Sequence, residues 1–355
     1  MQRLAVVFGL VSTFLFPSTA GALTININPG ATLAGNSAAL AAFDRAAALW
    51  EAAFTDNISV NIDADLVNLG SNNIIGQAGS VELFAGYDVI RDQMVVDAAN
   101  EPDNAIVAAL PTAAQFTAFV PTGITLDGNI SATKSNLKAM GFVGLDAQFG
   151  ANDATIQFNT QFSFDFDNSD GVSAGLTDFE TVAAHEIGHA LGFISAVDSI
   201  DFLIDQGLTD SVSLNPLDLF RFGQEDPEIV LEFTTFSRNL TPGVEAFFDD
   251  LLNEISFSTG RFNGDGRQAS HWKDDQLTGT LLGVLDPTLG DAQVFPITPA
   301  DLVAFDLIGW DLAEDTQTTG PVAASEPGAL SLLLVGVFLL IHRRRRVPVP
   351  VGFQS

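Results

Sequence analysis

The sequence predicts an α+β fold with a mixed sheet packed on two helices and a second subdomain after the last of them. Three observations predict it. Alternating apolar segments at 23–28, 58–66 and 155–159 read as half-buried strands. Helical apolar spacing covers 37–54, 87–99 and the residues around 181–193. The order strand, long helix, strand, helices, strand, helix suits that layering.

Taken along the chain, Leu23-Thr-Ile-Asn-Ile-Asn28 opens as a strand. Asn36 or Ser37 can cap a helix that runs to about Phe54, with Phe43, Ala47 and Trp50 on its buried side. Ile58 to Leu66 alternates again, and a turn-rich piece, Gly70 to Gly79, follows it. Tyr87 to Ala99, Pro111 to Val120 and Asn136 to Met140 read as helices. Thr155-Ile156-Gln157-Phe158-Asn159 is the next strand. A free edge on it could pair with an extended peptide, and an ordinary paired strand is the plain alternative.

The stretch around which these elements are arranged is Thr181-Val-Ala-Ala-His185-Glu186-Ile-Gly-His189-Ala-Leu-Gly192-Phe193. Two histidines four apart lie on one helical face and can deliver two imidazole nitrogens to one zinc ion. Glu186, beside the first, is placed to take a proton from a zinc-bound water. The chain has only four histidines, so chance is a poor source of the pattern. Asp178 and Glu180 suit the start of this helix and Gly192 its end.

Composition bounds the rest. The chain has 355 residues, 47% of them hydrophobic and 16% charged, which is a globular balance with room for a sizeable core. A net charge of −30 excludes nucleic acid as a partner, because phosphates would be repelled. Cysteine is absent, so neither disulfides nor a thiol latency switch contributes.

Both ends read as addresses. Residues 1–22 combine a basic start at Arg3, an apolar run from Leu4 to Leu15 and an A-x-A site before a cut after Ala22, the pattern of a secretory signal. At the other end, Ser325-Glu326-Pro327-Gly328, an apolar run from Ala329 to Ile341 and four arginines follow one another. The run is short for a stable span, and the plain reading is a C-terminal membrane anchor with its arginines inside. The layout resembles the PEP-CTERM sorting signals of Gram-negative bacteria, with Ser-Glu-Pro in place of Pro-Glu-Pro. That resemblance implies recognition by an exosortase-type enzyme, transient membrane association through the tail, and a final place at the cell surface, in the matrix or free.

Asp165-Phe-Asp167-Asn-Ser-Asp170-Gly171 is an acidic turn whose carboxylates, Asp165, Asp167 and Asp170, are candidates for calcium. It lacks a glutamate at the twelfth place of an EF-hand loop, and a solvated acidic loop is the plain alternative.

Catalytic zinc takes three protein ligands and leaves one position for water. Two histidines remain for the third place. His342 lies in the apolar-arginine tail, and His271 lies in Ala269-Ser270-His271-Trp272-Lys273. A carboxylate, Asp218 or Glu225, is the competing choice, with Asp198 closer to the helix but past a turn. H-E-x-x-H-A-x-G-F followed at a distance by S-H-W resembles the leishmanolysin type of metzincin zinc peptidase, and whole bacterial PEP-CTERM-tagged metalloproteases carry the same pieces. The resemblance covers about residues 150–312. In short-spacer metzincins a histidine would stand where this chain has Ser195; in the leishmanolysin type an insertion separates the second and third histidines. It implies His271 as third ligand, Leu285-Asp286-Pro287 in the place of the Met-turn, with leucine for methionine, and a closing helix over Thr298 to Trp310.

What it implies is an exported zinc endopeptidase acting on protein or peptide substrates. The expected organisation is a signal at 1–22, a catalytic subdomain at 23–192 and a C-terminal subdomain at 193–312. A linker at 313–324 and a sorting tail at 325–346 complete it. The other class of reading is a non-catalytic exported surface or matrix protein with a structural zinc site.

Overall fold

A four-stranded sheet backs the motif helix. The computed structural model describes residues 22–313 apart from 71, 72 and 225, so the sorting tail, the linker beyond residue 313, His342, Glu225 and the expected signal up to residue 21 lie outside the described residues. The described residues fall in one compact unit, with no separation at residue 192.

β1 (Thr24–Pro29), β2 (Ser59–Val67) and β7 (Ala154–Asn159) run parallel, and β3 (Gly76–Ser80) closes the sheet antiparallel to β7. In β2 the residues Val60, Ile62, Ala64 and Leu66 are buried and those between them are not, the period-two pattern of a half-covered sheet. A short helix, α1 (Ala31–Ala34), leads into the long α2 (Ser37–Ala53), which is capped as expected: Asn36 Oδ1 accepts from the Ala39 amide at 3.1 Å.

α2 and the motif helix α6 (Phe179–Leu191) pack side by side on the sheet. Trp50 joins them, its indole N–H donating to the Ala184 carbonyl at 2.9 Å while its ring meets Phe305 edge-on at 4.9 Å. Phe158 sits between Phe43 (5.3 Å) and Phe179 (4.4 Å), tying the sheet to both helices. Truncating one such buried ring to alanine costs about 3–5 kcal/mol, so these rings carry much of the local stability.

The second sheet orders β10 (Asp210–Leu214), β6 (Ile124–Thr133) and β4 (Glu82–Gly86). After β4 comes α3 (Tyr87–Asp97), which gives way to 3₁₀ turns two residues before the predicted end. α4 (Lys134–Ala139) starts earlier than predicted, capped by Thr133, and is wholly buried. Its two lysines meet the buried Asp153 carboxylate at 3.3 and 2.8 Å, which offsets the cost of burying them. α5 (Leu145–Phe149) precedes β7, and β8 (Phe164–Asp165) and β9 (Thr177–Asp178) lead into α6.

Three sequence expectations are corrected. Pro111 to Val120 is no helix: it makes a turn and then β5 (Ala118–Phe119), which pairs with β12 (Arg238–Asn239), and Pro121 disfavours helix just before it. The turn-rich piece ends in a strand, since Gly76 to Ser80 is β3. Ile156, Gln157, Phe158 and Asn159 do not form a free edge: β7 is paired on both sides, by β2 and β3, and the edges of this sheet are β3 and β1.

Beyond α6 the chain forms α7 (Ala196–Asp205), β11 (Arg221–Phe222), α8 (Val230–Thr235), β13 (Phe247–Asp249) and β14 (Glu254–Ser256). α9 (Asp275–Thr278) and α10 (Pro299–Leu307) follow. α10 is the predicted closing helix, with Thr298 and Asp301 forming a reciprocal cap and Gly309 beyond its end at φ +101°. The insertion's aromatics pack inward: Phe220 lies on Phe248 at 5.7 Å and Phe257 stacks on Trp272 at 5.1 Å. No single helix among the described residues is long and apolar enough to cross a membrane.

Candidate metal centre

α6 is set by its ends. Asp178 caps it, one carboxylate oxygen accepting from the Thr181 amide at 2.9 Å and the Thr181 hydroxyl at 2.6 Å. Gly192 ends it at φ +131°, where any Cβ would also lie 3.0 Å from Asn136 Cβ. The helix therefore stops at Leu191, two residues before Phe193, whose carbonyl turns back to the helix.

His185, His189 and His271 meet. Their Nε2 atoms are 3.1 Å (His185 to His189), 3.1 Å (His189 to His271) and 3.2 Å (His271 to His185) apart. Each ring is oriented from behind. Nδ1 of His185 donates to the Val284 carbonyl at 2.8 Å, that of His189 to the Phe193 carbonyl at 2.8 Å, and that of His271 to the Gln268 carbonyl at 3.2 Å.

A carbonyl oxygen only accepts, so each Nδ1 must carry the ring's proton. In the neutral rings all three Nε2 atoms are then bare lone pairs facing one another. Burial keeps the rings neutral, pushing His185 down to about 3 and His189 to about 4, with His271 also well below the usual imidazole range.

Three lone pairs at this separation repel unless a cation lies among them. Three nitrogens around one zinc at its ordinary bond length stand about 3.3 Å apart, so the triangle fits that ion. His185, His189 and His271 form one of two groups among the described residues whose donor atoms could hold a metal, and no fourth His, Asp or Glu belongs to it. The second group, Asp274, Asp275 and Asp286, is engaged with protein: Asp274 holds the Arg267 Nε at 2.5 Å, and Asp286 accepts from the Asp275 amide at 2.8 Å.

Glu186, one residue along, is buried beside the triangle and outside it. Burial pushes its carboxyl up to about 8, and a dication close by would offset that push. Its Oε1 lies against Gly76 at the start of the edge strand.

Leu285 lies in a turn packed against α6. Gly283 to Asp286 form a tight turn closed by the Asp286 amide on the Gly283 carbonyl at 3.2 Å. The Leu285 side chain is buried under α6, with a methyl 3.0 Å from where a Cβ on Gly188 would be. Its carbonyl accepts from the Trp272 amide at 3.0 Å, joining the turn to the residue after His271. Asp286 Oδ1 accepts from the Thr288 amide at 3.0 Å, and Pro287 is half-buried.

The other candidates are not brought together with the histidines. Asp218 is buried and turned to Ser195 Oγ (2.6 Å) and the amides of Ala196 (3.0 Å) and Asn215 (2.8 Å), so it is no ligand. Asp198 points to the backbone before His271 rather than to the metal position. Asp165 accepts from the amides of Asp167 (3.1 Å) and Ser173 (2.8 Å) and Asp167 from the amide of Ser169 (3.2 Å), and these two carboxylates with Asp170 are not one of the two groups of close-set donor atoms found among the described residues.

Sequence reasoning missed Gly76, Val284 and Asp301, whose roles depend on what the fold lays beside α6. A backbone carbonyl leaves no signal in composition, and a lone glycine or aspartate leaves almost none. No protein-family model, curated protein or solved structure matches this chain.

Proposed function

We propose that this chain is an exported zinc-dependent endopeptidase of the metzincin type, with His185, His189 and His271 as ligands and Glu186 as general base. The observation that carries the reading is the convergence of three Nε2 lone pairs, each fixed by an Nδ1 hydrogen bond, beside a buried glutamate that is not one of the three. Zinc bound there would act as a Lewis acid toward a scissile carbonyl and lower the pKa of a water.

The residues of the chain do the rest. Glu186 would accept the proton of the water as its oxygen bonds to the scissile carbonyl carbon, and would then pass that proton to the amine nitrogen as the C–N bond breaks. Among the described residues β3 (Gly76–Ser80) is paired only with β7, and its outward edge lies next to α6. An extended peptide added there as a further strand would lie along the helix that carries the site. The Leu285 turn supplies the apolar floor in place of a methionine, and Leu285 fills a similar volume.

A structural zinc site is the competing reading; among the described residues no fourth His, Asp or Glu joins the histidine group, whereas structural sites usually close the fourth position with protein. The signal-like start and the tail at 325–346 support export and handling by an exosortase-type enzyme. The test is metal content and hydrolysis of a labelled peptide or casein by the mature chain, with and without a chelator. One zinc per chain and activity that a chelator abolishes are expected; zinc with no hydrolysis overturns the peptidase reading in favour of the structural one.

A further inference from the structure

His271 reaches the site from 82 residues beyond His189, so something must fix the loop that delivers it. Resting on the zinc-ligand reading above, we infer that Asp198 is the positioning residue for His271. Its Oδ1 accepts from the Ala269 amide at 2.6 Å, and its Oδ2 from the Ser270 amide at 3.1 Å and from the Ser270 hydroxyl. Three donors from the two residues before His271 thus end on one carboxylate.

That carboxylate stands in the first turn of α7, only a few residues beyond α6. The helix bearing two ligands and the loop bearing the third are joined through it. A second bridge runs parallel: the Ser195 amide donates to Ser270 Oγ at 2.9 Å, and Ser195 Oγ donates to the buried Asp218 at 2.6 Å. Arg221, itself buried, donates to the carbonyls of Ala269 (3.3 Å) and Ser258 (2.8 Å) and supplies the positive charge that faces both aspartates. A backbone held at consecutive amides cannot swing, so the imidazole that follows is held at the spacing the ion requires.

The inference is tested by zinc affinity, read by chelator competition, on the full mature chain in a double-mutant cycle. Asp198→Ala should lower zinc affinity about 10- to 100-fold in the parent background. In a His271→Ala background it should lower it no further, because the ligand it positions is gone. Equal losses in both backgrounds, or no loss in the parent, would overturn the inference.

If Asp198→Ala does not fold, Asp198→Asn runs the same cycle. It keeps one acceptor oxygen and should show a smaller loss, again confined to the background that retains His271, while a loss of the same size in both backgrounds overturns the inference. Zinc bound without peptidase activity sinks the proposed reaction and leaves this inference standing. Equal zinc affinity in the parent and His271→Ala sinks the ligand set and the inference with it.

Discussion

Gly76 and Glu186 occupy one another's space: a Cβ on Gly76 would lie 2.7 Å from Glu186 Oε1 and 2.9 Å from Val182 Cγ1. The edge strand can run this close to the motif helix because residue 76 has no side chain. Gly76→Ala should therefore displace the Glu186 carboxylate and leave the histidines untouched. Small misplacements of a reacting group cost up to about 100-fold, so kcat should fall at least about tenfold with one zinc still bound. Unchanged kcat in a folded variant would show that the contact does not set the base.

Glu186→Gln removes the proton acceptor and preserves the shape. General bases contribute about 10²–10⁴-fold, so hydrolysis should fall by that factor or to background, with zinc content unaltered. Steady-state kinetics beside metal analysis checks both halves, and a fully active variant would remove Glu186 from the mechanism.

His271→Ala should lose zinc affinity and activity together. The decisive reading is stoichiometry after dialysis against a weak chelator: the parent retains one zinc per chain and the variant does not. Retention by the variant at parent affinity would mean that the third donor lies elsewhere.

Leu285 lies so close to Gly188 that a Cβ there would come within 3.0 Å of its methyl. Leu285→Ala leaves a cavity there and should cost about 2–5 kcal/mol of stability. Leu285→Met conserves volume and should cost less than about 1.5 kcal/mol. Urea denaturation of the zinc-loaded protein gives both values, and an alanine variant as stable as the parent would show that the floor is not packed.

Stability should fall as pH rises toward 8, because of a carboxyl cluster that includes Asp56 and Asp97, with Asp311 nearby. Burial first, then the neighbouring acids, push Asp56 up to about 8 and Asp97 up to about 7, from 3.8. A folded-state pKa above the unfolded one means that the folded chain holds its protons more tightly. The contribution is thus complete below about pH 4 and is lost as pH rises through 7 to 8. Asp97→Asn, which cannot ionise, should raise the urea midpoint at pH 8.5 and change it little at pH 4. A midpoint equally shifted at both pH values would rule out titration as the cause.

The motif helix, its caps, α2, the strands β1, β2 and β7, the closing helix and the convergence of His271 were legible in the sequence. Each rests on a local signal or on a residue type too rare to be incidental. The edge strand was not. Gly76-Gln-Ala-Gly-Ser has little strand propensity, and pairing with β7 imposes its conformation. With β3 unseen, the free edge was assigned to β7, which β3 covers. Asp198 and Asp218 illustrate a different limit. Sequence distinguishes neither a carboxylate that binds a cation from one that gathers backbone amides, nor the loop it will meet.

Asp301 lies far along the chain and governs its centre. One carboxylate caps α10 through the Thr298 amide (2.8 Å), receives the Trp272 indole N–H (2.8 Å) and takes the amides of Val284 (2.9 Å) and Leu285 (3.3 Å). Val284 in turn holds the His185 ring. A polypeptide that ended before residue 301 would own all three histidines and lack the group that shapes the turn beside them. Assembly of the centre thus waits on nearly the last described stretch of the chain: a partly made chain would hold the three histidines without the turn that orients His185.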